Sequence, residues 1–408
     1  MTPIRTKSQS HSMPAFLPDG HAFLFYAFRS IQTDAFGNGV YVAGVDSQTP
    51  KLISPDLTGN VAFSSGHLFY VRDRSLMAQP FNPGRRQFTG SPLTIAEQEL
   101  EPDRTFSRSA FSVSDNGVIA FQSALDSPSR LIWFDPSGQE IGPLSDSVFR
   151  DPSFSPDGRY LAVASDDAHN AKYCIRVFDL QRNVSRRLTE PGNTGRLIWS
   201  PNGREITYAA TQGKVSYLYQ IPMDGSAPPR ILRSGTVMLP NHWSPDGHLV
   251  FQTTDTGLPS LEIYSASDGS VMPFASGAEA QFSPDGKWIA YIGQGGVAGG
   301  GGIVVQQFPE SGPPIRISAP GGGAQPRWSR DGRRIYFIAP DRKLMSATFD
   351  PVHAVTGELH VVFQTRIIAP NLASFQYDVA PDGRFLINSF PFTNSSPITV
   401  ITGWQHLK

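Results

Sequence analysis

The chain repeats a pattern in which a short polar turn precedes a stretch of mostly apolar residues. Clear copies read FSPDGRYLAVAS at 154–165, WSPDGHLVFQTT at 243–254 and FSPDGKWIAYIG at 282–293. Proline presets the first turn position, Asp or Asn accepts hydrogen bonds from the turn backbone, and Gly supplies a positive φ. The apolar stretch suits a strand that is buried on both faces. Each copy therefore predicts a β-hairpin.

Nine turn glycines mark the repeat, with separations of 39 to 51 residues: Gly20, Gly66, Gly117, Gly158, Gly203, Gly247, Gly286, Gly332 and Gly383. A third strand rich in aromatic and β-branched residues follows most turns, and a short fourth strand follows that. This spacing is typical of a four-stranded propeller blade. No segment has convincing helical periodicity. The pattern predicts an all-β fold, a single β-propeller of eight or nine four-stranded blades.

Repeat units begin near residues 13, 61, 109, 151, 196, 240, 279, 325 and 374, so we expect the propeller to occupy 13–408. The ninth unit supplies only three strands before the sequence ends. Residues 1–12 are an N-terminal extension that could lend a closing strand, which gives nine blades. If one degenerate unit is absorbed instead, eight remain.

The acidic or amide residue of each turn is predicted to be structural. A catalytic residue is needed once, whereas every blade needs a hydrogen-bond acceptor in its turn. The turn residues concerned are Asp19, Asp157, Asn202, Asp246, Asp285, Asp331 and Asp382.

Five polar residues stand at an equivalent place, three positions before the residue that opens the turn motif. They are Asp151, Arg196, Glu279, Gln325 and Gln376, and Pro240 holds the same place in a sixth unit. The innermost strand of a blade begins at one mouth of the central channel, so these residues are expected to ring that mouth. Mixed charge there suits a polar peptide or a protein loop. The alternative is that strand entries are polar simply because they are exposed.

Composition excludes several classes of partner and site. The chain has 34 Lys and Arg against 35 Asp and Glu, a net charge of -1, which favours no nucleic-acid partner. Its one cysteine, Cys174, excludes an internal disulfide and any multi-cysteine metal site. Without a signal peptide or a long apolar run, we expect no membrane insertion and a cytoplasmic location. Closed propellers protect their strand edges, which favours a monomer.

Three other candidate sites are weak. The stretch 293–298 matches a dinucleotide fingerprint but leads into a strand rather than a helix. His242 and His248 flank one turn without an adjacent acid or cysteine, and Asp166 with Asp167 falls short of the six or more oxygens that calcium needs. We therefore expect no metal and no cofactor.

The turn units resemble the WD-repeat-like propeller repeats of the TolB family over nearly the whole chain. Segments such as LMAQPFNP at 76–83, LIWFDPSGQEIG at 131–142 and SPITVITGW at 396–404 further resemble the C-terminal propeller of bacterial eukaryotic-like serine/threonine kinases, common in Acidobacteria. That resemblance implies a sensing or protein-binding module. A periplasmic location would follow if the chain is a fragment of a membrane-anchored kinase.

These observations predict a non-enzymatic propeller that binds a protein or peptide of unknown identity as a sensor or scaffold. The chain has no H-R-D, D-F-G or V-A-I-K kinase motif and no G-x-S-x-G nucleophile elbow. Two alternatives stay open. One is a lactonase-like or hydrolytic propeller enzyme with its site at the channel mouth, and the other is a kinase fragment without its catalytic domain.

Overall fold

The computed structural model describes residues 9–29, 39–46, 49–57, 59–97, 100, 109–122, 129–145, 147–166, 172–192, 194–213, 215–254, 258–293, 301–310, 312–367, 370, 374–390 and 398–406. Apart from one 3-10 helix, Trp404–His406, every regular element in these ranges is a β-strand, which confirms the predicted all-β class. The same ranges contain no helix that is long and apolar enough to cross a membrane.

The chain divides into two compact units. Unit 1 comprises Met1–Asp126 and Thr393–Lys408, and unit 2 comprises Ser127–Phe392. The first strands of unit 1 are Gln9–Phe16 (β1), Ala22–Arg29 (β2), Gly39–Gly44 (β3), Lys51–Ser54 (β4), Ala62–Ser64 (β5), His67–Arg72 (β6), Ser75–Asn82 (β7), Gln87–Phe88 (β8), Leu93–Ala96 (β9), Phe111–Val113 (β10) and Ile119–Gln122 (β11).

Unit 2 holds the strands Arg130–Phe134 (β12), Glu140–Pro143 (β13), Phe149–Phe154 (β14), Tyr160–Asp166 (β15), Tyr173–Asp179 (β16), Val184–Arg187 (β17), Thr194–Trp199 (β18), Glu205–Gln212 (β19), Val215–Pro222 (β20), Arg230–Gly235 (β21), Met238–Trp243 (β22), His248–Thr253 (β23), Ser260–Ser265 (β24), Val271–Ser276 (β25), Ala278–Phe282 (β26), Trp288–Ile292 (β27), Ile303–Gln307 (β28), Ile315–Arg316 (β29), Ala324–Trp328 (β30), Arg334–Ile338 (β31), Lys343–Asp350 (β32), Val355–Gln364 (β33), Tyr377–Val379 (β34) and Phe385–Ser389 (β35). Strand β36, Ile398–Ile401, belongs to unit 1.

Unit 1 contains three antiparallel sheets, formed by β1–β4, by β5–β9, and by β10, β11 and β36. The first two sheets share an apolar cluster that includes Leu24, Val42 and Leu68. A second cluster joins Phe69 and Trp404 to residues of β10, β11 and β36. The burial of one strand face against the next sheet, typical of stacked blades, thus holds this unit together.

Unit 2 contains six four-stranded sheets. Blades 1 to 5 are β14–β17, β18–β21, β22–β25, β26–β29 and β30–β33, and blade 6 combines β34 and β35 with β12 and β13. The innermost strands of blades 1 to 5 contact one another in sequence, and β34 contacts β14. Blade 6 also meets blade 5, since the N–H of Gln376 donates to Oε1 of Gln325 at 2.8 Å. The six blades therefore close a ring within unit 2.

The propeller fold is confirmed, but the predicted count of eight or nine blades in a single ring is not. Six blades close the ring of unit 2, and the other three sheets belong to unit 1. The predicted ninth unit is divided: β34 and β35 pair with β12, and β36 pairs with β11. Repeat spacing counts hairpins but does not determine which open strand edge each one joins.

The predicted extension 1–12 also differs from expectation. Residues 9–12 lie in β1 and pair with β2 in the first sheet of unit 1, while residues 1–8 lie outside the described ranges.

The side chains of the turn residues form hydrogen bonds within their own hairpin turns. Oδ1 of Asp157 accepts a hydrogen bond from the N–H of Arg159 at 3.0 Å, and Oγ of Ser155 accepts one from Tyr160 at 2.9 Å. Bonds from a backbone N–H to the turn side chain recur at Asp19, Asn202, Asp285, Asp331 and Asp382. Asp246 instead accepts from the Ser244 hydroxyl and lies 3.2 Å from Nδ1 of His248. These contacts satisfy the turn without an external ligand.

Residues of the same motif also connect neighbouring blades. A Cβ atom placed on Gly203 would lie 3.6 Å from Pro156 in the preceding blade, and one placed on Gly286 would lie 3.2 Å from Pro245. Nε1 of Trp199 donates to the carbonyl of Ser153 at 2.8 Å, which joins blades 2 and 1. The motif therefore acts in two ways, as a hairpin turn and as a contact between blades.

Substitution of Gly158 by Ala should test this contact. Gly158 has φ +73°, and an added Cβ would lie 2.5 Å from Cγ of Pro381, a distance that forces the backbone or the proline to move. Gly269 is a matched control, because it has the same φ of +73° and nothing within 4 Å of an added Cβ. We expect Gly158→Ala to lower the free energy of unfolding by about 1–3 kcal/mol more than Gly269→Ala, measured by urea titration. Equal losses would show that the contact with Pro381 contributes nothing.

Candidate functional site

The five predicted polar residues lie in or directly before the innermost strands of unit 2, and all five are buried. They therefore do not form an exposed rim at a channel mouth, and their polarity does not reflect an exposed strand entry. Their role in binding stays a prediction. The structure brings them together with residues that sequence reasoning missed.

A β-bulge explains how these side chains reach the centre of the ring. The innermost strands of blades 1 to 5 each carry one extra residue relative to the neighbouring strand, and the bulge includes Asp151, Arg196, Glu279 and Gln325. Asp151, Glu279 and Gln325 have φ between +50° and +56°, the left-handed region that non-glycine residues rarely adopt. A bulge redirects a side chain out of the regular alternation of a strand.

Arg196 and Glu279 form the most deeply buried charged pair of the ring. Both side chains are fully buried, and Nη2 of Arg196 lies 4.0 Å from Oε1 of Glu279. Nη1 of Arg196 also donates to Oδ1 of Asn241 in blade 3. Because blades 2 and 4 are not adjacent, the guanidinium of Arg196 reaches across the inner space of the ring.

The other predicted residues bond to the backbone of a neighbouring blade. Oε2 of Glu279 accepts from the N–H of Gln325 at 2.7 Å, and Oε1 of Gln325 accepts from the N–H of Gln376. Oδ1 of Asp151 accepts from the N–H of Phe375 at 2.7 Å. These hydrogen bonds thus connect blade 4 to blade 5, blade 5 to blade 6, and blade 6 to blade 1 at the centre of the ring.

Sequence reasoning missed Asn241, Arg327, Phe375 and Asp378. Nε of Arg327 donates to Oδ1 of Asp378 at 3.2 Å, which joins blade 5 to blade 6. Two of these residues follow predicted ones by two positions, Arg327 after Gln325 and Asp378 after Gln376. This shared offset was the one signal in the sequence, because a bulge interrupts the alternation that would otherwise place residues two apart on one face. No such signal marked Asn241, because alignment of the repeat units placed its neighbour Pro240 at the position that Asp151 and Arg196 occupy in their own units.

Phe375 lies between the two arginines of this cluster. Cζ of Arg196 and Cζ of Arg327 each lie 3.9 Å from the centroid of its ring. A guanidinium this close to an aromatic face is attracted by the negative potential of that face. Residues of blades 2, 5 and 6 therefore meet at one aromatic side chain.

Burial dominates the electrostatics of this central cluster, which comprises Asp151, Arg196, Asn241, His242, Glu279, Arg327, Phe375 and Asp378. It raises the pKa of Asp151 to about 6 and the pKa of Glu279 to about 7, against the opposing effect of Arg196. Burial also raises the pKa of Asp378, and it lowers the pKa of His242 to about 4. At neutral pH, His242 is therefore neutral.

Buried polar atoms of the cluster that make no hydrogen bond in the described part of the chain include one each on Asn241, His242 and Glu279, although the Glu279 atom is ion-paired with Arg196 at 4.0 Å. These atoms are Nδ2 of Asn241, Nδ1 of His242 and Oε1 of Glu279. An amide N–H donates a hydrogen bond and a carboxylate oxygen accepts one, and a peptide unit offers the complementary acceptor and donor. Burial of such atoms without partners costs free energy, which a ligand or water that bonds to them recovers.

The weaker candidates gain no support. Within the residues described, no group of three or more His, Cys, Asp or Glu could hold a metal ion. His242 and His248 lie on different strands, and His248 pairs with Asp246. Asp167 and residues 294–298 of the dinucleotide-like stretch lie outside the described ranges, as does the side chain of Asp166.

The raised carboxyl pKa values predict a specific pH dependence of stability. The folded pKa of Glu279, about 7, exceeds the ordinary value of 4.5, so the folded chain binds this proton more tightly than the unfolded chain. Titration of Glu279 should therefore contribute a rise of about 1 kcal/mol in the free energy of unfolding as the pH falls from 8.5 to 6.5. The lowered pKa of His242 opposes this gain from about pH 7.5 downward, because the unfolded imidazole, with its ordinary pKa of 6.5, binds a proton there that the folded side chain resists.

Urea titrations at several pH values measure this slope, and Glu279→Gln should reduce it while keeping a hydrogen-bond acceptor. Exposed Glu358→Gln is the matched control and should retain the wild-type slope. An unchanged slope in Glu279→Gln would contradict the assignment.

Comparison with known proteins identifies related folds. No protein-family model matches the chain. A putative TolB from Agrobacterium tumefaciens aligns with a TM-score of 0.50 and 17% identity, covering 65% of this chain and 99% of that structure. A puromycin-hydrolyzing peptidase of Mycobacterium tuberculosis aligns with a TM-score of 0.43 and 14% identity, covering 91% of this chain and 56% of that structure.

One relative is an enzyme by description. The uncharacterized peptidase YuxL of Bacillus subtilis (strain 168) is 26% identical over 151 residues, which are 35% of this chain and 21% of that protein. The chain thus spans about a fifth of the length of this relative. The similarity contradicts the prediction that the chain is not an enzyme. That prediction depended on the absence of kinase and hydrolase motifs from the sequence. The fold itself is that of a TolB-like β-propeller.

Proposed function

We propose that unit 2 is a peptide-binding propeller related to the propellers of peptidases, and that a peptide binds at its central cluster. The observation that carries this proposal is that Asn241 and Glu279 both contact the guanidinium of Arg196 and each keeps a buried polar atom that makes no hydrogen bond in the described part of the chain. His242, which lies within electrostatic reach of Arg327, has a third such atom. Peptide units carry an N–H donor and a C=O acceptor, which match these atoms. The local similarity to YuxL supports a peptide as the ligand.

The proposed site contains buried charged groups, which would favour a peptide that pairs with all of them over one that does not. Buried charges on Arg196 and Arg327 are balanced by carboxyl groups whose protonation changes near neutral pH. Hydrogen bonds inside such a low-dielectric site are stronger than in water, and a mismatched ligand leaves buried groups unpaired. Selective recognition of a short peptide segment follows from this.

The resemblance to kinase-linked propellers is compatible with the same site. In that setting, peptide binding would serve sensing, and the chain would function as the sensor part of a larger protein. The proposed chemistry at the centre of unit 2 is the same for both roles. A monomeric state, the absence of a nucleic-acid partner and the cellular compartment stay predictions.

Binding of a labelled peptide library, measured by fluorescence anisotropy, tests the proposal. We expect Asn241→Leu, which removes the amide but keeps a similar volume, to weaken binding about tenfold, the effect of losing one well-placed hydrogen bond. Asp382→Asn is the matched control, because Asp382 is an exposed turn residue on blade 6, and it should bind as the wild type does. Equal binding by both variants, or no peptide bound by the wild type, would overturn the proposal.

Mass spectrometry of the same mixtures tests the link to peptidases. Cleaved peptides that depend on Asn241 would assign peptide hydrolysis to this chain. Intact peptides recovered from the complex would show that the chain binds these peptides without cleaving them.

A further inference from the structure

The segment 374–376 lies at the centre of the ring in the manner of a bound ligand. Its backbone is held by side chains of other blades: the N–H of Phe375 by Asp151, and the N–H of Gln376 by Gln325. Nε2 of Gln325 also donates to the carbonyl of Ser374 at 3.2 Å. The side chains of Asp151 and Gln325 thus form hydrogen bonds with backbone N–H and C=O groups of three consecutive residues, as a peptide-binding site does with a bound peptide.

Blade 6 differs from the other blades at this place. The innermost strands of blades 1 to 5 already pair with their neighbouring strands before the bulge, at Arg150, Thr194 and the equivalent residues. In blade 6 the ladder of β34 with β35 begins at Tyr377, with one further backbone bond from the N–H of Asn388 to the carbonyl of Gln376 at 2.7 Å. Phe375 precedes this ladder, and its ring contacts Arg196 and Arg327.

We propose that Arg196 and Arg327 form a binding site for the aromatic side chain of a peptide, and that Phe375 fills this site in the resting chain. This inference rests on the proposed function, because it names the side chain that the central cluster selects. An incoming segment with an aromatic residue can replace Phe375 between the guanidiniums and take over the bonds from Asp151 and Gln325.

An aromatic ring fits this place better than an aliphatic side chain of equal size. Each guanidinium stands 3.9 Å from the ring centroid, so the π face contacts positive charge on both arginines. A saturated ring has no quadrupole and gains only dispersion contacts there. The site should therefore distinguish phenylalanine from cyclohexylalanine, although their shapes are close.

Phe375 lowers the apparent affinity for such a ligand. It is attached to the same chain, so its effective concentration at the site is high. A ligand binds only in the fraction of molecules in which the site is open, and its apparent affinity falls by that fraction. Removal of the phenyl ring should raise the affinity.

The test uses the full chain with Phe375→Ala and the probe N-acetyl-L-phenylalanine amide, measured by isothermal titration calorimetry. We expect this variant to bind the probe at least about tenfold more tightly than the wild type. It should also prefer this probe over N-acetyl-cyclohexylalanine amide by about tenfold. Equal binding of both amides, or no gain over the wild type, would overturn the proposal.

A matched control separates this site from a simple cavity. Phe251 is fully buried in an apolar cluster between blades 2 and 3, so Phe251→Ala removes the same group without adjacent guanidiniums. It should show no preference between the two amides. The same preference in Phe251→Ala would attribute the binding to the cavity alone.

A second variant keeps the proposal testable if Phe375→Ala does not fold. Phe375→Leu retains volume but loses the π face, so the probe should displace it more easily and bind several-fold more tightly than it binds the wild type. Failure of this inference is distinguishable from failure of the proposed function. Library peptides that bind the wild type without aromatic preference would overturn only the aromatic site. A variant that binds the amide while no library peptide binds would overturn only the proposed function.

Discussion

Buried charge needs partners in a low-dielectric interior, and this requirement governs the centre of unit 2. The guanidinium of Arg196 is fully buried, and it has a carboxylate, an amide oxygen and an aromatic face around it. These partners come from three different blades. Removal of one partner from such a set leaves an uncompensated charge, which costs far more than the loss of a surface ion pair. The positions of the inner strands therefore depend on one another through this cluster.

The bulges supply the geometry that this cluster needs. A left-handed conformation at Asp151, Glu279 and Gln325 costs free energy at each residue. In return, each side chain accepts a hydrogen bond from the backbone of a neighbouring blade. The ring is thus closed by two kinds of contact: these bonds at the centre, and the strands β12 and β13 that complete blade 6 from the other end of unit 2.

The peptide recognition that we propose for unit 2 depends on the same features. The side chains that hold the segment 374–376 are of the types that hold a peptide, and they act on backbone groups that every peptide has. One buried atom each on Asn241 and Glu279 makes no hydrogen bond in the described part of the chain, whereas a native core usually satisfies its buried polar groups.

The sequence by itself determined the all-β propeller, the positions of the hairpins and the polar character of Asp151, Arg196, Glu279, Gln325 and Gln376. These properties are local, since turn chemistry and strand periodicity act over a few residues. Only the tertiary structure decided that six blades close one ring, that Asn241, Arg327 and Phe375 join the cluster, and that its residues are buried. These three outcomes depend on which strand edges pair and on where a bulge shifts the strand register. The spacing of the repeats specifies neither the pairing nor the bulges. Strand pairing and burial result from contacts between segments far apart in the chain.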